Sequence, residues 1–515
     1  MIKTSNPLSI FIFSFVLLHG FLLSKDKPVN ILFAISDDQC YPYASAYGTE
    51  IVKTPAFDKV AAKGVLFNQA FCAAPQCSPS RAAILTGRNI WQLEEAGVHG
   101  SNFPIEYTTY TDTLEKNGYH VGYTGKGWGP GNYKYSGRKQ NPAGESWSKK
   151  SLTPPAKGIK NTDYSENFKD FYKAKDKNQP FCFWYGASEP HRSYQYGVGK
   201  KLGKKDPAKV KVPLFLPDNK QTRNDILDYA YEIEWFDLHL GKIIDHLEKV
   251  GELENTLIIV TADNGMPFPR SKANLYEHGT HVPLAICWGS HFKKGHKVNT
   301  PVSLTQVAAT VLEACDINLP DTILGKSLRP LLEGKQQDQA IFTGRERHTH
   351  ARKNNHTYPC RAIRTENFLL IHNIKPDRWP AGAPDHEGGY YDIDGSPSKT
   401  EVLKNKASVA FNLSVGKRPE FELFDIQKDP HAVHNVADHP EYKSTFNQLK
   451  KKLTEKLLKD KDPRSFGKGD IFESYPRYSK MRPQLGGFAE QGKYNPKYLQ
   501  EGQSIKKEDI GQKSQ

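Results

Sequence analysis

At 515 residues the chain is too long for one simple core and implies a large domain with a smaller one beside it. Its net charge of +14 points to a polyanionic partner, which nucleic acid, an anionic membrane or a sulfated or carboxylated glycan would each satisfy, and its 25 tyrosines could stack on sugars or bases alike. Seven cysteines without CxxC spacing exclude a disulfide framework and a zinc site.

The first element is the apolar run "PLSIFIFSFVLLHGFLL" behind Lys3, which reads as a secretory signal peptide over residues 1–24. A membrane anchor is its rival, but no charged cytoplasmic flank beyond Lys3 supports it, and no cysteine ends the run to take a lipid. Export to the periplasm or the medium, with no stable membrane span, is the expectation. Next, "VNILFAISDD" is a buried strand that delivers Asp37 and Asp38 at its C-terminal end. "CSPSRAAILTGR", Cys77 to Arg88, is a loop-to-helix junction with Ser78 or Ser80 as cap and Pro79 in the first turn. "PFCFWYGASEPH" repeats the strand pattern and ends on His191. The basic run "GKKLGKKDPAKVK" follows, either a solvated loop or a lining of the substrate entrance. Ile226, Ala230, Ile233, Leu240, Ile244 and Leu247 then recur at helical spacing between Asp225 and Gly251. "TLIIVTADNG" is a third strand with polar groups at its end, Asp263 and Asn264. Strand, helix and strand with chemistry at strand ends is an α/β signature.

From about residue 340 the elements shorten, through "AIRTENFLLIHN" and "FELFDIQKDPHAVHNVA" to a Lys-rich helix, "YKSTFNQLKKKLTEKLLKD". These features divide the chain into a catalytic domain over 25–340, a C-terminal α+β subdomain over 341–465, and a basic Gly/Lys/Gln-rich tail over 466–515. The tail either wraps the surface or is partly disordered.

Asp37, Asp38, Asp263 and Asn264 offer hard oxygen donors from two strand ends, the set a calcium or magnesium ion takes. Adjacent carboxylates would repel each other without one. "CSPSRAAILTG" resembles the type I sulfatase signature, Cys-x-Pro-Ser-Arg followed by x-x-x-Leu-Thr-Gly. Further blocks follow in that family's order: "ISDD", "GYTGKGW", "SEPH", "TADNG" and "KANLYEHGTHVP". The resemblance implies an alkaline-phosphatase-like fold, with a large central mixed sheet flanked by helices and a smaller C-terminal α+β subdomain.

The resemblance also implies that a separate maturation enzyme oxidises Cys77 to formylglycine (3-oxoalanine), whose hydrate is the nucleophile. The metal set would be Asp37, Asp38, Cys77, Asp263 and Asn264, holding one Ca2+ per chain. Arg81 would bond residue 77 or the metal-side carboxylates, while Lys126 and Lys272 neutralise sulfate oxygens. His191 would protonate the leaving oxygen. Two positions depart from the family pattern. Trp128 stands where a second histidine is usual, leaving His278, His281 or His99 to replace it. His281 stands where an arginine is usual before Val-Pro, and is expected to join Lys126, His191 and Lys272 in binding substrate.

A sulfatase of an anionic glycan is therefore expected, with no nucleic-acid partner. A phosphoester or phosphonate hydrolase and a non-catalytic polyanion-binding protein are the competing functions. The pattern "DNGMPFPRSKANLYEHGT" with "EPHRS" and "VPLFLPD" is similar to the branch of heparan N-sulfatases and bacterial polysaccharide sulfatases. Within it, O-desulfation of ulvan at sulfated rhamnose is preferred to N-desulfation of glucosamine.

Overall fold

The computed structural model describes residue 1 and residues 27–335, 337–386 and 389–487. The expected signal peptide and the tail beyond residue 487 lie outside the described residues. Among the described residues no helix is long and apolar enough to cross a membrane.

The large sheet contains β1 (Asn30–Ser36), β2 (Val65–Phe71), β3 (His120–Gly125), β4 (Glu145–Ser146), β5 (Phe181–Gly186), β6 (Thr256–Ala262), β7 (His281–Cys287), β8 (His296–Val298) and β9 (Val302–Ser303). Its order is β4-β3-β5-β1-β6-β7-β2-β8, with β9 paired to β2. β3, β5, β1 and β6 run parallel as neighbours, whereas β7 is antiparallel to both β6 and β2. β2 consequently points the same way as the parallel block, and all five of those strands end at one edge.

Helices cover both faces, as a mainly parallel sheet requires. They include α1 (Pro55–Lys63), α2 (Cys77–Thr86), α3 (Tyr110–Lys116), α4 (Tyr164–Ala174), the single turn α5 (Val198–Lys201), the long α6 (Lys220–Lys249), the single turn α7 (Glu277–Thr280) and α8 (Val307–Ala314). The period-two alternation of β1 sorts its side chains between two cores. Ile31, Phe33 and Ile35 pack with α2, α3 and α8, while Leu32 and Ala34 pack with α1, α4 and α6. Each of the larger ones, Ile31, Leu32, Phe33 and Ile35, is fully buried and contributes about 1.5–3 kcal/mol. The edge that carries the polar residues thus stands on a frame buried from both sides.

α6 begins earlier than its apolar spacing indicates. Asn219 caps it, its Oδ1 accepting from the amides of Gln221 and Thr222 at 3.0 Å each. Asp225 lies inside the helix and takes both Arg192 Nη atoms, at 2.7 and 2.8 Å.

A second, antiparallel sheet contains β10 (Ile341–Arg345), β11 (Cys360–Arg364), β12 (Phe368–Asn373) and β13 (Phe421–Asp425) in that order. The helix Lys443–Lys459 lays Leu449, Leu453 and Leu457 against Ile363, Leu370 and Leu423 of this sheet. This smaller unit reaches the site edge directly, because the Gly344 amide donates to the Ala73 carbonyl at 2.9 Å, just ahead of Cys77. Within the tail, the Tyr478 amide donates to the Gly100 carbonyl at 2.7 Å, and Arg477 Nη1 to the His348 carbonyl at 2.7 Å. Its described part therefore wraps onto the large domain.

Candidate active site

Five strand ends and one loop meet at this edge. α2 follows β2, and Cys77 is its first residue. Gln76, rather than Ser78 or Ser80, occupies the N-cap position without a side-chain bond. The two serines are turned to tertiary partners: Ser78 Oγ accepts from the Gly100 amide at 3.1 Å, and Ser80 Oγ donates to the Asp263 carbonyl at 2.5 Å. Pro79 fits the first turn, where no amide donor is needed. All ten residues of α2 are buried, so the helix N-terminus presents its positive dipole end to the site with little solvent screening.

Asp37 and Asp38 follow β1. Strand geometry would send successive side chains to opposite faces, but Asp38 adopts a left-handed φ of 73°, and both carboxylates join one cluster. Carboxylate oxygens of Asp37, Asp38 and Asp263 all lie within 4.8 Å of one another, and all three residues are buried. Burial and neighbouring Asp37 push the Asp263 carboxyl up to about 6. Burial would raise Asp37 too, but Lys126, His191 and Arg81 outweigh it and hold that carboxyl well below its usual range. Asn264 donates to Asp38 Oδ1 at 2.7 Å, while its own Oδ1 is buried without a hydrogen-bond partner. Crowded carboxylates beside an orphaned amide oxygen fit an oxygen-coordinated divalent cation.

Cations surround the cluster. Arg81, fully buried, donates from Nε to Asp263 Oδ2 at 2.8 Å and from Nη1 to the carbonyls of Lys126 and Gly127 at 2.7 and 3.0 Å. Lys126 Nζ lies 2.6 Å from Asp37 Oδ2, and Lys272 Nζ 2.7 Å from Asp38 Oδ2. Lys126 is set by the end of β3, where Gly125 has a φ of 71° and a Cβ would lie 2.2 Å from the Gly186 carbonyl oxygen. Cys77 Sγ donates to Asp37 Oδ1 at 3.4 Å, and burial together with Asp37 pushes the thiol pKa up. His191 Nε2 is 3.9 Å from Asp38 Oδ2, and its Nδ1 bonds the Arg192 carbonyl at 2.7 Å.

The structure thus brings together Asp37, Asp38, Cys77, Arg81, Lys126, His191, Asp263, Asn264 and Lys272. His281 is committed elsewhere: Nδ1 lies 3.2 Å from Glu277 and Nε2 2.9 Å from the Asn68 carbonyl, with the ring stacked on Tyr41. Both ring nitrogens therefore face protein partners rather than the carboxylate cluster. His278 stacks on His431 at 5.2 Å, and burial and His431 lower its pKa to about 3. Trp128 is a core residue, edge-on to Phe103 and donating to the Ser78 carbonyl at 3.1 Å. Of the three replacement histidines only His99 lies beside the motif helix, next to Gly100 and its bond to Ser78 Oγ. In the basic run, Lys205 bonds Glu234 and the Ile51 carbonyl, and Lys209 lies 3.0 Å from Glu50, so these two are tied to neighbouring elements.

Two residues near the site were not legible as site residues. His348 packs edge-to-face on His99 with ring centroids 4.7 Å apart, and Asp394 stands 3.6 Å from Lys272 Nζ. His348 lies in the loop that follows β10 and Asp394 in the loop between β12 and the helix Pro397–Lys404, and only the density of Arg and His in "GRERHTHAR" hinted at the first.

Fold and site define an α/β hydrolase of the alkaline-phosphatase-like class. The chain belongs to the sulfatase family, whose model matches residues 29–317, and is a sulfuric ester hydrolase. A second model, described as N-sulphoglucosamine sulphohydrolase, C-terminal, matches residues 270–405. The chain is 26% identical over 486 residues to N-sulphoglucosamine sulphohydrolase of Homo sapiens, covering 86% of this chain and 92% of that protein. It is 28% identical over 456 residues to an ulvan-active sulfatase of Formosa agariphila, covering 87% and 82%. In fold it resembles a protein solved in complex with its substrate D-glucosamine-2-N,6-O-disulfate, with a TM-score of 0.63, 20% identity and coverage of 85% of this chain and 98% of the other.

Proposed function

We propose that the protein is an exported polysaccharide sulfatase that removes O-sulfate from the sulfated rhamnose of ulvan, using formylglycine at position 77 and one calcium ion. The observation that carries this reading is the convergence of three buried aspartates and an orphaned amide oxygen on Cys77 at a buried helix N-terminus, between Lys126 and Lys272. Asp37, Asp38, Asp263 and Asn264 would hold the ion, with residue 77 beside them. When bound, the ion polarises a sulfate oxygen and favours ionisation of the residue-77 hydroxyl. Maturation gives residue 77 a hydrated aldehyde, one hydroxyl of which attacks sulfur while the other later expels sulfate.

The remaining work falls to encoded side chains. Arg81 fixes Asp263 and the Lys126–Gly127 backbone. Lys126 and Lys272, now on Asp37 and Asp38, are placed to take up charge on the sulfate oxygens as it builds. His191 bonds a carbonyl through Nδ1, which must therefore carry a hydrogen, so the proton for the leaving oxygen is the one on Nε2. His281 has no part in this scheme.

The choice of ulvan is supported by the likeness to two ulvan-active sulfatases and by the net charge of +14, suited to a polyanion. N-desulfation of glucosamine is the second reading, favoured by the match of residues 270–405 to the N-sulphoglucosamine sulphohydrolase model. Matured protein incubated with ulvan, carrageenan and heparin oligosaccharides, with sulfate measured by ion chromatography, should release it from ulvan. Release from heparin alone overturns the ulvan assignment and leaves the N-sulfatase. Peptide mass analysis of the same sample should find residue 77 lighter than cysteine.

A further inference from the structure

The loop ahead of the helix Pro397–Lys404 carries two acids that meet opposite fates. Asp392 is saturated: it accepts from Arg345 at 2.8 Å, from Arg352, and from the amide and hydroxyl of Thr349 at 3.0 and 2.9 Å. Asp394, two residues on, has a buried Oδ2 with no hydrogen-bond partner, while its side chain remains 27% exposed. The nearest cation, Lys272 Nζ at 3.6 Å, is already hydrogen-bonded to Asp38. Burial opposes ionisation of Asp394, but Lys272, His191, His348 and Arg192 outweigh it and bring the carboxyl down to about 2.

Asp394 is held firmly. Ahead of it, Lys399 Nζ donates to the carbonyls of Tyr390 and Ile393 at 3.0 and 2.9 Å and Asp392 is anchored as above; behind it, Ser396 caps the following helix, its Oγ accepting from the Lys399 amide at 3.0 Å. A residue fixed on both flanks, with a free acceptor facing the site, is preorganised for a ligand rather than left over from folding. A single ammonium separates it from Asp38. Asp394 thus stands on the far side of Lys272 from the carboxylate cluster, at the edge of the site.

Resting on the sulfatase reading above, we propose that Asp394 determines specificity by accepting a hydrogen bond from a hydroxyl or N–H on the carbon next to the sulfated one, and rejects a second sulfate there. A carboxylate has only acceptors, so a neutral or cationic donor satisfies it and a vicinal sulfate meets like charge.

The test compares matured wild type with Asp394→Asn, and with Asp394→Ser should the amide fold poorly, after melting temperatures have been measured. Two substrate pairs are used. One is a monosulfated methyl rhamnoside against the same sugar sulfated also on the neighbouring carbon; the other is glucosamine N-sulfate against its analogue with a sulfate on the adjacent oxygen. Wild type should prefer the monosulfated member of the pair it hydrolyses by about 100-fold in kcat/KM. Either variant should lose about 10- to 100-fold on that member and narrow the preference below about 10-fold. Equal loss on both members, or no loss, overturns the proposal. Failure of the wild type to release sulfate even from nitrophenyl sulfate overturns the sulfatase reading itself, a result distinct from either of these.

Discussion

Lys126→Met keeps the length of the side chain and deletes its charge. The ammonium lies 2.6 Å from Asp37 Oδ2, and its side chain is 21% exposed. Two effects oppose each other. Asp37 loses one partner but keeps Arg81 Nη2 at 3.8 Å, so the ground state is disturbed by about 1 kcal/mol, the low end for a buried acceptor. The transition state loses a positioned donor against developing sulfate charge, which costs about 100- to 1,000-fold in kcat. Because water can reach the vacated position, the lower end, about 100-fold, is the expected result. Sulfate release under saturating substrate gives kcat, its concentration dependence gives KM, and a melting curve checks the fold. A loss confined to KM, or a fall in kcat below about 10-fold, would refute the role assigned to this lysine.

Exhaustive chelation should abolish sulfate release, and calcium should restore it in the wild type but not in Asp263→Ala, where Arg81 loses its 2.8 Å partner; full activity of the chelated wild type would remove the metal from the scheme. Calcium at about 100 times its Kd should also stabilise the fold by about 2.7 kcal/mol, read as a higher melting temperature. Trp128→His, which restores the family's usual residue, should destabilise the protein by about 2–4 kcal/mol through lost core packing and leave kcat no higher; an unchanged melting temperature would contradict the packing. Burial would raise the carboxyl of Glu277, but Arg364 and His281 outweigh it and lower it from 4.5 to about 2, so its stabilisation is fully present above the unfolded value and is lost as pH falls toward about 2. At about 1.4 kcal/mol per unit this amounts to about 3 kcal/mol, and Glu277→Gln should flatten the acid limb of melting temperature against pH; parallel limbs would rule the linkage out.

The strand ends were legible because strands buried on both faces read as unbroken apolar runs, so the first polar residues after "NILFAIS" and "TLIIVTA" mark the edge where chemistry collects. Cys77, Arg81 and the metal donors followed from those ends and the motif. What stayed hidden depended on partners distant in the chain. Asp225 reads as a helix start, and only Arg192 in three dimensions explains why it lies inside α6. His281 occupies a motif position, yet Glu277 and the Asn68 carbonyl claim its ring. Asp394 and Asp392 look alike in "YYDIDG", and the arginines that saturate one and leave the other open come from outside that loop.

The left-handed backbone of Asp38 bears on what happens when the activity is lost. Holding a non-glycine residue there costs about 1–2 kcal/mol, an expense that the fold recovers only through the cluster its carboxylate joins. Once nothing is selected at that edge, glycine or asparagine at position 38 would relax the turn and leave the sheet untouched. A descendant of this chain that keeps every core residue but carries glycine there would keep the sheet, leave buried Lys272 and Asn264 without their Asp38 partner, and hydrolyse nothing. Position 38 is thus where abandonment of the chemistry would first leave a trace.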